Sequence, residues 1–167
     1  MGKNKLGFPL TYSKLYEYYD LLSANQDEID RKNRFIDKIL SQYKVKTVLD
    51  FTCGTDAQLF ALTKLGYQVT GVDLSPFLLK IAREKSQQKK LGVELIEGDV
   101  RETQVGSFDA TITIFNAIGH LTKTDFETCI RNVHKNLVNE GLYVFDIFNL
   151  NAMTDDAIKN LAMDVKV

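Results

Sequence analysis

The stretch DFTCGTD, residues 50–56, follows a run of β-forming residues and stands where a nucleotide-binding turn usually carries three glycines. Only Gly54 is present, and a glycine there lets the backbone approach a ligand closely. A helix starting near Asp56 would direct its free N–H groups at an anion or a carboxylate. Asp73 lies 19 residues after Gly54, the spacing at which an acidic side chain accepts hydrogen bonds from a ribose diol.

Acidic and polar residues recur after the later predicted strands. Asp73 and Asp99 follow the second and third strands, and the segment 115–120 follows the fourth. Each residue also has a simpler explanation: Asp56 as a helix N-cap, Asp73 and Asp99 as turn residues, and Gly54 as the residue of a tight turn. Their joint recurrence at one predicted edge is not explained in that way, and it favours a site for a nucleoside cofactor.

Strands and helices alternate along the chain and position these residues. Apolar runs predict strands over 45–51, 67–73, 92–99, 108–116 and 142–148. Helical spacing predicts helices over 57–66, 75–90 and 123–137. Ser75 is the expected N-cap of the second of these helices, Gly92 its expected end, and 139–141 a turn before the last strand.

Alternation of this kind requires parallel strands joined by right-handed crossovers. The predicted fold is therefore an α/β, doubly wound, Rossmann-like sheet of about five parallel strands in the order 3-2-1-4-5, with helices on both faces. The predicted organisation is a single domain over 1–167. It consists of an N-terminal helical cap region (1–43, with helices over 12–23 and 27–42), a cofactor-binding core (44–149) and a C-terminal helix or tail (150–167).

Composition excludes several other classes of protein. The 167 residues are 44% hydrophobic and 26% charged, and the net charge of -1 gives no general attraction for nucleic acid. The basic residues of 80–90 share a helix with an apolar face and are expected to form its solvated side. Two cysteines without CxxC spacing and two histidines predict no metal site. Without an apolar stretch of membrane-spanning length, we expect a soluble, cytoplasmic protein with a small-molecule substrate.

Three motifs resemble those of the class I S-adenosylmethionine-dependent methyltransferases. VLDFTCGTD resembles their first motif, VTGVDLSP their second and EGDVRE their third. More narrowly, YDLL at 19–22 and FNAIGHL at 115–121 are similar to the group that contains amino-sugar and glycine-type N-methyltransferases. The resemblance implies S-adenosyl-L-methionine as the cofactor and methyl transfer to a small molecule, possibly an amine, as the reaction.

The resemblance also implies a set of site residues. The cofactor-binding set is Tyr19, Arg31, Asp50, Thr52, Cys53, Gly54, Asp73, Leu74, Asp99, Val100, Phe115 and Asn116. In this set, Asp50 and Gly54 lie by the methionine part, with Cys53 beside the cofactor, and Asp73 holds the ribose hydroxyls. Asp99 meets the adenine amine, with Val100 beside the ring. Phe115 and Asn116 line the pocket after the fourth strand.

Two members of the set come from the N-terminal region. Tyr19 is expected to close over the cofactor, and Arg31 is the expected partner of its carboxylate. His120 is the expected catalytic residue, because an imidazole titrates near neutral pH and can serve as a base or orient the acceptor. A cap or a packed side chain is the other explanation for His120.

The chain departs from the family pattern in two ways. Thr52 and Asp56 occupy the first and third glycine positions of the first motif, and the charge of Asp56 is expected to weaken cofactor binding unless it faces the ammonium group or Arg31 neutralises it. The residues after the fifth strand hold one short helix, so the family's C-terminal antiparallel strand pair is expected to be missing. The chain then resembles a truncated form, and the open edge of strand five predicts a homodimer.

Two other functions stay open at this point. One is a degenerate, non-catalytic cofactor-binding or scaffold protein, favoured by the lost glycines and the short C-terminus. The other is an NAD-linked oxidoreductase, because Thr52, Gly54 and Ala57 fall on the GxGxxG/A spacing with its first glycine replaced. The glycine–aspartate pair at 98–99 and the FNAIGHL stretch favour the methyltransferase.

Overall fold

The computed structural model describes residues 26–149 and residue 151, in which helices and strands alternate. The helices are α1 (Gln26–Gln42), α2 (Leu59–Lys64), α3 (Pro76–Lys89) and α4 (Lys123–Lys135). The strands are β1 (Thr47–Asp50), β2 (Gln68–Asp73), β3 (Glu94–Glu97), β4 (Phe108–Thr113) and β5 (Leu137–Phe145). A 3-10 turn, Ala117–His120, lies between β4 and α4.

The five strands form one parallel sheet in the order β3-β2-β1-β4-β5. The strand order and the parallel direction predicted from the sequence are therefore confirmed. In the register, Asp50 lies beside Gly71 of β2 and Ile112 of β4. The carboxyl ends of β1, β2 and β4 consequently meet at one edge of the sheet, where the order of the strands reverses and ligands bind in open α/β folds.

Helices cover both faces of the sheet. Neighbouring residues of β1 point to opposite faces and therefore pack in different core clusters. Val48 packs in one core cluster with Ile36 of α1 and Leu62 of α2. Leu49 packs in the other cluster with Val133 of α4. Burial of both faces explains why the strands read as nearly continuous apolar runs rather than as alternating ones.

The end of α3 differs from the prediction that Gly92 terminates this helix. Ser75 caps the beginning as predicted, its hydroxyl accepting a hydrogen bond from the Leu78 N–H at 3.3 Å. The helix already stops at Lys89, and Lys90 takes the left-handed conformation with φ of 53°. The Leu91 N–H then donates to the Ser86 carbonyl at 3.0 Å, so the helix end is closed before Gly92 is reached.

The beginning of β5 also differs from the prediction. Segment 139–141 lies within the strand rather than forming a turn before it, and α4 stops at Lys135 instead of continuing to 137. Leu137 already pairs with Phe108, whereas the next pair along β4 joins Ala110 to Leu142. The extra residues of β5 bulge out between these two pairs, with Glu140 at φ of 61°.

Helix α2 and strand β4 are shorter than predicted. Helix α2 begins only at Leu59, and β4 ends at Thr113 rather than at 116. Several predictions fall on residues outside the described part of the chain: the helix over 12–23, Tyr19, and the tail at 150 and 152–167, with the missing antiparallel pair. These expectations and the domain boundaries stay predictions.

Candidate functional site

Asp50 ends β1 at the centre of the carboxyl edge and is almost completely buried, with 1% of its surface exposed. One carboxylate oxygen accepts a long hydrogen bond of 3.4 Å from the Thr52 N–H. The other, Oδ2, has no hydrogen-bond partner among the described residues, and the same is true of the buried Thr52 hydroxyl. Burial raises the pKa of Asp50 to about 7; the Thr52 N–H opposes the shift, and the nearby charge of Asp73 adds to it.

Asp73 connects the two turns at the ends of β1 and β2. Its Oδ2 accepts the Gly54 N–H at 2.9 Å, and its Oδ1 accepts the Ser75 N–H at 2.8 Å. Gly54 has φ of 55°, which a residue without Cβ adopts without strain. Burial raises the pKa of Asp73 despite these N–H groups. The Leu74 N–H is a third backbone donor to this carboxylate. Since a carboxylate has about four acceptor sites, Asp73 holds the glycine turn and can still accept a hydroxyl.

Cys53 packs beneath this turn, close to β2. Its N–H donates to the Val72 carbonyl at 3.0 Å, and its side chain is 3% exposed. A Cβ atom at Gly71 would lie 2.9 Å from the Cys53 sulfur, so the turn rests directly on the backbone of β2. Burial, with the charges of Asp50 and Asp73, raises the pKa of the Cys53 thiol well above its usual value. This thiol is therefore an inert packing group rather than a nucleophile.

Asp99, after β3, is held by Arg101, a cation two residues later in the sequence. The Arg101 guanidinium forms a two-pronged pair with the carboxylate, with N–O distances of 2.9 Å to Oδ1 and 2.6 Å to Oδ2. Arg101 also donates to Asp125 of α4 at 3.1 Å, so β3 and α4 are linked through one side chain. Leu74 and Val100, the residues after Asp73 and Asp99, are half-buried at the same edge.

The segment after β4 has an unusual backbone. Phe115 and Asn116 are consecutive non-glycine residues in the left-handed region, with φ of 62° and 58°. A Cβ atom at Gly119 would collide with the Asn116 side chain, so a glycine is required three residues later. His120 ends the 3-10 turn and is exposed, and partial desolvation lowers the pKa of its imidazole.

Residues 48–141, more than half of the chain, match the family described as "Methyltransferase domain". The chain belongs to this methyltransferase-domain family. The matched segment begins inside β1 and ends within β5, so it contains the turn at 50–56 and the residues that follow β2, β3 and β4.

Relatives and solved structures show the same similarity. A methyltransferase-like protein of Geobacillus sp. (strain WCH70) is 29% identical over 157 residues, which cover 89% of this chain and 63% of that protein. Human glycine N-methyltransferase is 29% identical over 125 residues, 65% of this chain and 42% of that enzyme. The chain thus spans about two fifths to three fifths of the length of these relatives.

Two solved structures extend the comparison. The PH0226 protein from Pyrococcus horikoshii OT3 has a TM-score of 0.73 and 26% identity, covering 94% of this chain and 68% of that one. CalS10, an amino pentose methyltransferase from Micromonospora echinaspora whose structure contains bound S-adenosylmethionine, has a TM-score of 0.63 and 25% identity, covering 88% and 59%. At these TM-scores, both comparisons support the overall fold of this chain.

Arg31 and Lys32 of α1 have different surroundings, and the predicted contact of Arg31 with the cofactor carboxylate stays a prediction. Arg31 is exposed and borders a cavity of about 450 Å³ on α1 together with three other charged residues of that helix. Its neighbour Lys32 reaches the residues after β4 and β5, with its Nζ 2.6 Å from Asp146 and 4.9 Å from the centre of the Phe115 ring. No local pattern signals this pair, since Lys32 and Asp146 are 114 residues apart.

Asp56 is also neutralised differently from the expectation that Arg31 would do so. Lys85 and Lys89 of α3 pair with its two oxygens at 3.0 and 3.1 Å. The lysines are four residues apart and therefore lie on one helix face, which was expected to be merely solvated. This i,i+4 spacing was the available sequence signal for a partner of Asp56.

The described residues hold no grouping of three His, Cys, Asp or Glu side chains suited to a metal ion. Across 26–149 and 151, no helix is both long and apolar enough to cross a bilayer.

Proposed function

We propose that this chain binds S-adenosyl-L-methionine at the carboxyl edge of the sheet and transfers its methyl group to a small-molecule acceptor. Membership of the methyltransferase-domain family supports the reaction. The observation that carries the choice of cofactor is the carboxylate of Asp50, which is buried, has an unpartnered oxygen and has a pKa raised to about 7. A buried carboxylate in this state is stabilised by a cationic ligand.

Charge separates this proposal from an NAD-linked oxidoreductase. Asp50 and Asp73 lie close enough for the charge of Asp73 to raise the pKa of Asp50, and within the described residues neither pairs with a lysine or an arginine. The pyrophosphate of a dinucleotide would bring negative charge to these two carboxylates. S-adenosylmethionine instead brings a sulfonium and an ammonium group, both of which are positive. The charge of the site therefore favours S-adenosylmethionine.

The proposed contacts follow the positions of the residues along the edge. The cofactor-binding set remains Tyr19, Arg31, Asp50, Thr52, Cys53, Gly54, Asp73, Leu74, Asp99, Val100, Phe115 and Asn116. Asp50 and the unpartnered Thr52 hydroxyl would hold the methionine end, and the Asp73 carboxylate the ribose. The Asp99 carboxylate, whose position is fixed by Arg101, would lie beside the adenine amine.

Bound S-adenosylmethionine would supply an electrophilic methyl group, so the protein needs to orient the acceptor and exclude water. His120 would take a proton from the acceptor, because its lowered pKa leaves the imidazole neutral at pH 7. A small amine is the proposed acceptor. Support comes from the names of relatives, which include glycine N-methyltransferase and an amino pentose methyltransferase.

Calorimetric titration with S-adenosylmethionine at pH 7, in two buffers of different ionisation enthalpy, tests the proposal. Because Asp50 is about half protonated at that pH, binding of a cation should release roughly half a proton, and the observed heat should differ between the buffers. Glu94→Gln is the matched control, since it removes an exposed carboxylate at the opposite end of the strands. It should keep the affinity and the proton release.

The same samples distinguish the alternatives by thermal shift. A ligand at about 100 times its dissociation constant should add roughly 2.7 kcal/mol to the free energy of unfolding. Stabilisation by NAD and not by S-adenosylmethionine or S-adenosylhomocysteine would favour the oxidoreductase. If none of the three ligands stabilises the protein, the non-catalytic scaffold is favoured. Where the cofactor binds, production of S-adenosylhomocysteine with a panel of amines identifies the acceptor.

We also propose that two copies associate through β5, which lies at one edge of the sheet formed by the described residues. Phe145 at its end is 42% exposed, and Ile147 beyond it is 62% exposed. Apolar edges of this kind favour pairing with another chain. A monomeric mass in light scattering at high concentration would exclude the dimer. The net charge of -1 supports a partner that is not a nucleic acid, and a cytoplasmic location stays a prediction.

A further inference from the structure

Lys32 contacts two residues at the carboxyl ends of β4 and β5. Its Nζ lies 2.6 Å from Asp146 Oδ2, and the same atom stands 4.9 Å from the centre of the Phe115 ring. The two charged side chains are each only about 30% exposed. One cation of α1 thus joins Phe115, two residues after β4, to Asp146, the residue after β5.

Asp146 carries this connection to the backbone after β4. While Oδ2 pairs with Lys32, Oδ1 accepts the Asn116 N–H at 2.7 Å. The Asn116 side chain in turn accepts the Phe148 N–H at 3.0 Å. Helix α1, the segment after β4 and the segment after β5 therefore meet at Phe115 and Asn116, the two residues proposed to line the pocket.

These two residues need external support. Side chains rarely adopt positive φ, and Phe115 and Asn116 do so consecutively. Such conformations persist where surrounding contacts fix them, and they cluster at ligand sites. Here Asn116 is held by the hydrogen bonds that join it to Asp146 and to Phe148, and by the Gly119 N–H, which donates to its carbonyl at 2.9 Å. Lys32 sets the position of the Asp146 carboxylate.

We propose that Lys32 and Asp146 are positioning residues that hold Phe115 and Asn116 in the left-handed conformation required by the cofactor pocket. The inference rests on the proposed function, since the pocket is the one assigned there to S-adenosylmethionine. Neither residue needs to touch the cofactor. Their role is to keep the wall of the pocket in place while α1 remains attached to the sheet.

Three single variants and one double variant test the pair. Lys32→Met keeps the length of the side chain and removes the charge, whereas Lys32→Arg keeps a cation for both Asp146 and the ring. Asp146→Asn keeps an oxygen that can accept from the Asn116 N–H. Partly exposed ion pairs are worth little, so each neutral variant should weaken S-adenosylmethionine binding only about two- to fivefold. The double variant should be no weaker than either single one.

Two readouts separate positioning from general destabilisation. The wild-type dissociation constant should rise with ionic strength more steeply than that of Lys32→Met, because salt screens a pair that the variant lacks. Hydrogen exchange of the Asn116 amide should become about two- to fivefold faster in Lys32→Met, with Lys32→Arg close to wild type. The exchange measurement needs no ligand. It therefore tests the Lys32–Asp146 pair even if the wild-type protein does not bind S-adenosylmethionine. Absence of binding would refute the proposed function instead.

Unchanged exchange at Asn116 and unchanged affinity in Lys32→Met would overturn the positioning role. Should Lys32→Met not fold, Asp146→Asn carries the same comparison. Lys38→Met, at an exposed position later in α1, is the control for losing a lysine from this helix and should leave both readouts unaltered.

Discussion

Replacing Asp50 by Asn should change how the stability of the protein depends on pH. In the folded protein the pKa of Asp50 is raised from 3.8 to about 7, so the folded state retains a proton that the unfolded state releases. Stability contributed by the neutral carboxyl is therefore complete below pH 3.8 and is lost as the pH rises towards 7. In Asp50→Asn the side chain is neutral at every pH, and this loss disappears.

The magnitude follows from the size of the shift. A change of about three pKa units corresponds to about 4 kcal/mol, of which about 2.5 kcal/mol is lost between pH 5 and pH 8. Because Asp73 also contributes to the shift, the loss belongs to the pair of carboxylates rather than to Asp50 alone. The amide substituted into this buried position carries its own cost. That cost is independent of pH and cancels when the two pH values are compared.

Urea unfolding at pH 5 and pH 8 measures the effect directly. The wild-type free energy of unfolding should fall relative to that of Asp50→Asn by about 2.5 kcal/mol over this interval. Glu94→Gln, which removes an exposed carboxylate, should follow wild type. The variant should also bind S-adenosylmethionine at least about tenfold more weakly, since it lacks a charged acceptor. Parallel pH dependence in wild type and Asp50→Asn would refute the reasoning.

Two further substitutions test the turn at 50–56. Asp56→Asn should not tighten cofactor binding, because Lys85 and Lys89 already neutralise the charge of Asp56. Loss of these two ion pairs should lower the melting temperature by about 2–4 °C. Tighter binding in calorimetry would show that Asp56 repels the cofactor. Gly71→Ala should lower the free energy of unfolding in urea by about 1–3 kcal/mol, because the added methyl meets Cys53 and Leu95 at 2.9 Å. The control Gly92→Ala, where the methyl enters open space, should be nearly neutral. Similar losses of stability in both variants would contradict this packing.

The sequence was sufficient for the sheet because its central strands, β1, β2 and β4, are largely buried. Such strands are continuous apolar runs between turn residues, and their alternation with helices fixes the parallel direction. It was less informative about where elements end. Lys90 caps α3 in a conformation normally supplied by glycine, and the bulge at Glu140 depends on where Phe108 pairs on β5. A contact between distant segments decides the bulge, whereas the end of α3 is closed by local hydrogen bonds to Ser86 and Gln87.

The same distinction applies to the candidate site: residues at strand ends could be predicted from the sequence, whereas contacts between distant segments could not. Asp50, Gly54 and Asp73 were placed correctly at the carboxyl edge, because each follows directly from the end of a strand. The cations could not be placed in this way. Arg31 and Lys32 are adjacent in sequence, yet only the second pairs with Asp146, and the choice depends on how α1 is rotated against the sheet. Helical rotation is set by packed apolar residues such as Ile36 and Leu40 rather than by the charged ones.

The pairing of charges explains how this edge would select a ligand. Asp56 is paired with two lysines, Asp99 with Arg101, and Asp146 with Lys32. Among the described residues, Asp50 and Asp73 are the acidic residues ending β1 and β2, and neither has a cation of the protein within pairing distance. An anion entering between them would meet two desolvated carboxylates, whereas a cation would be attracted by both and would replace the proton that burial makes Asp50 retain. The substitution of a glycine by Asp56 therefore leaves this preference intact, since its charge is balanced on α3, outside the pair that faces the ligand.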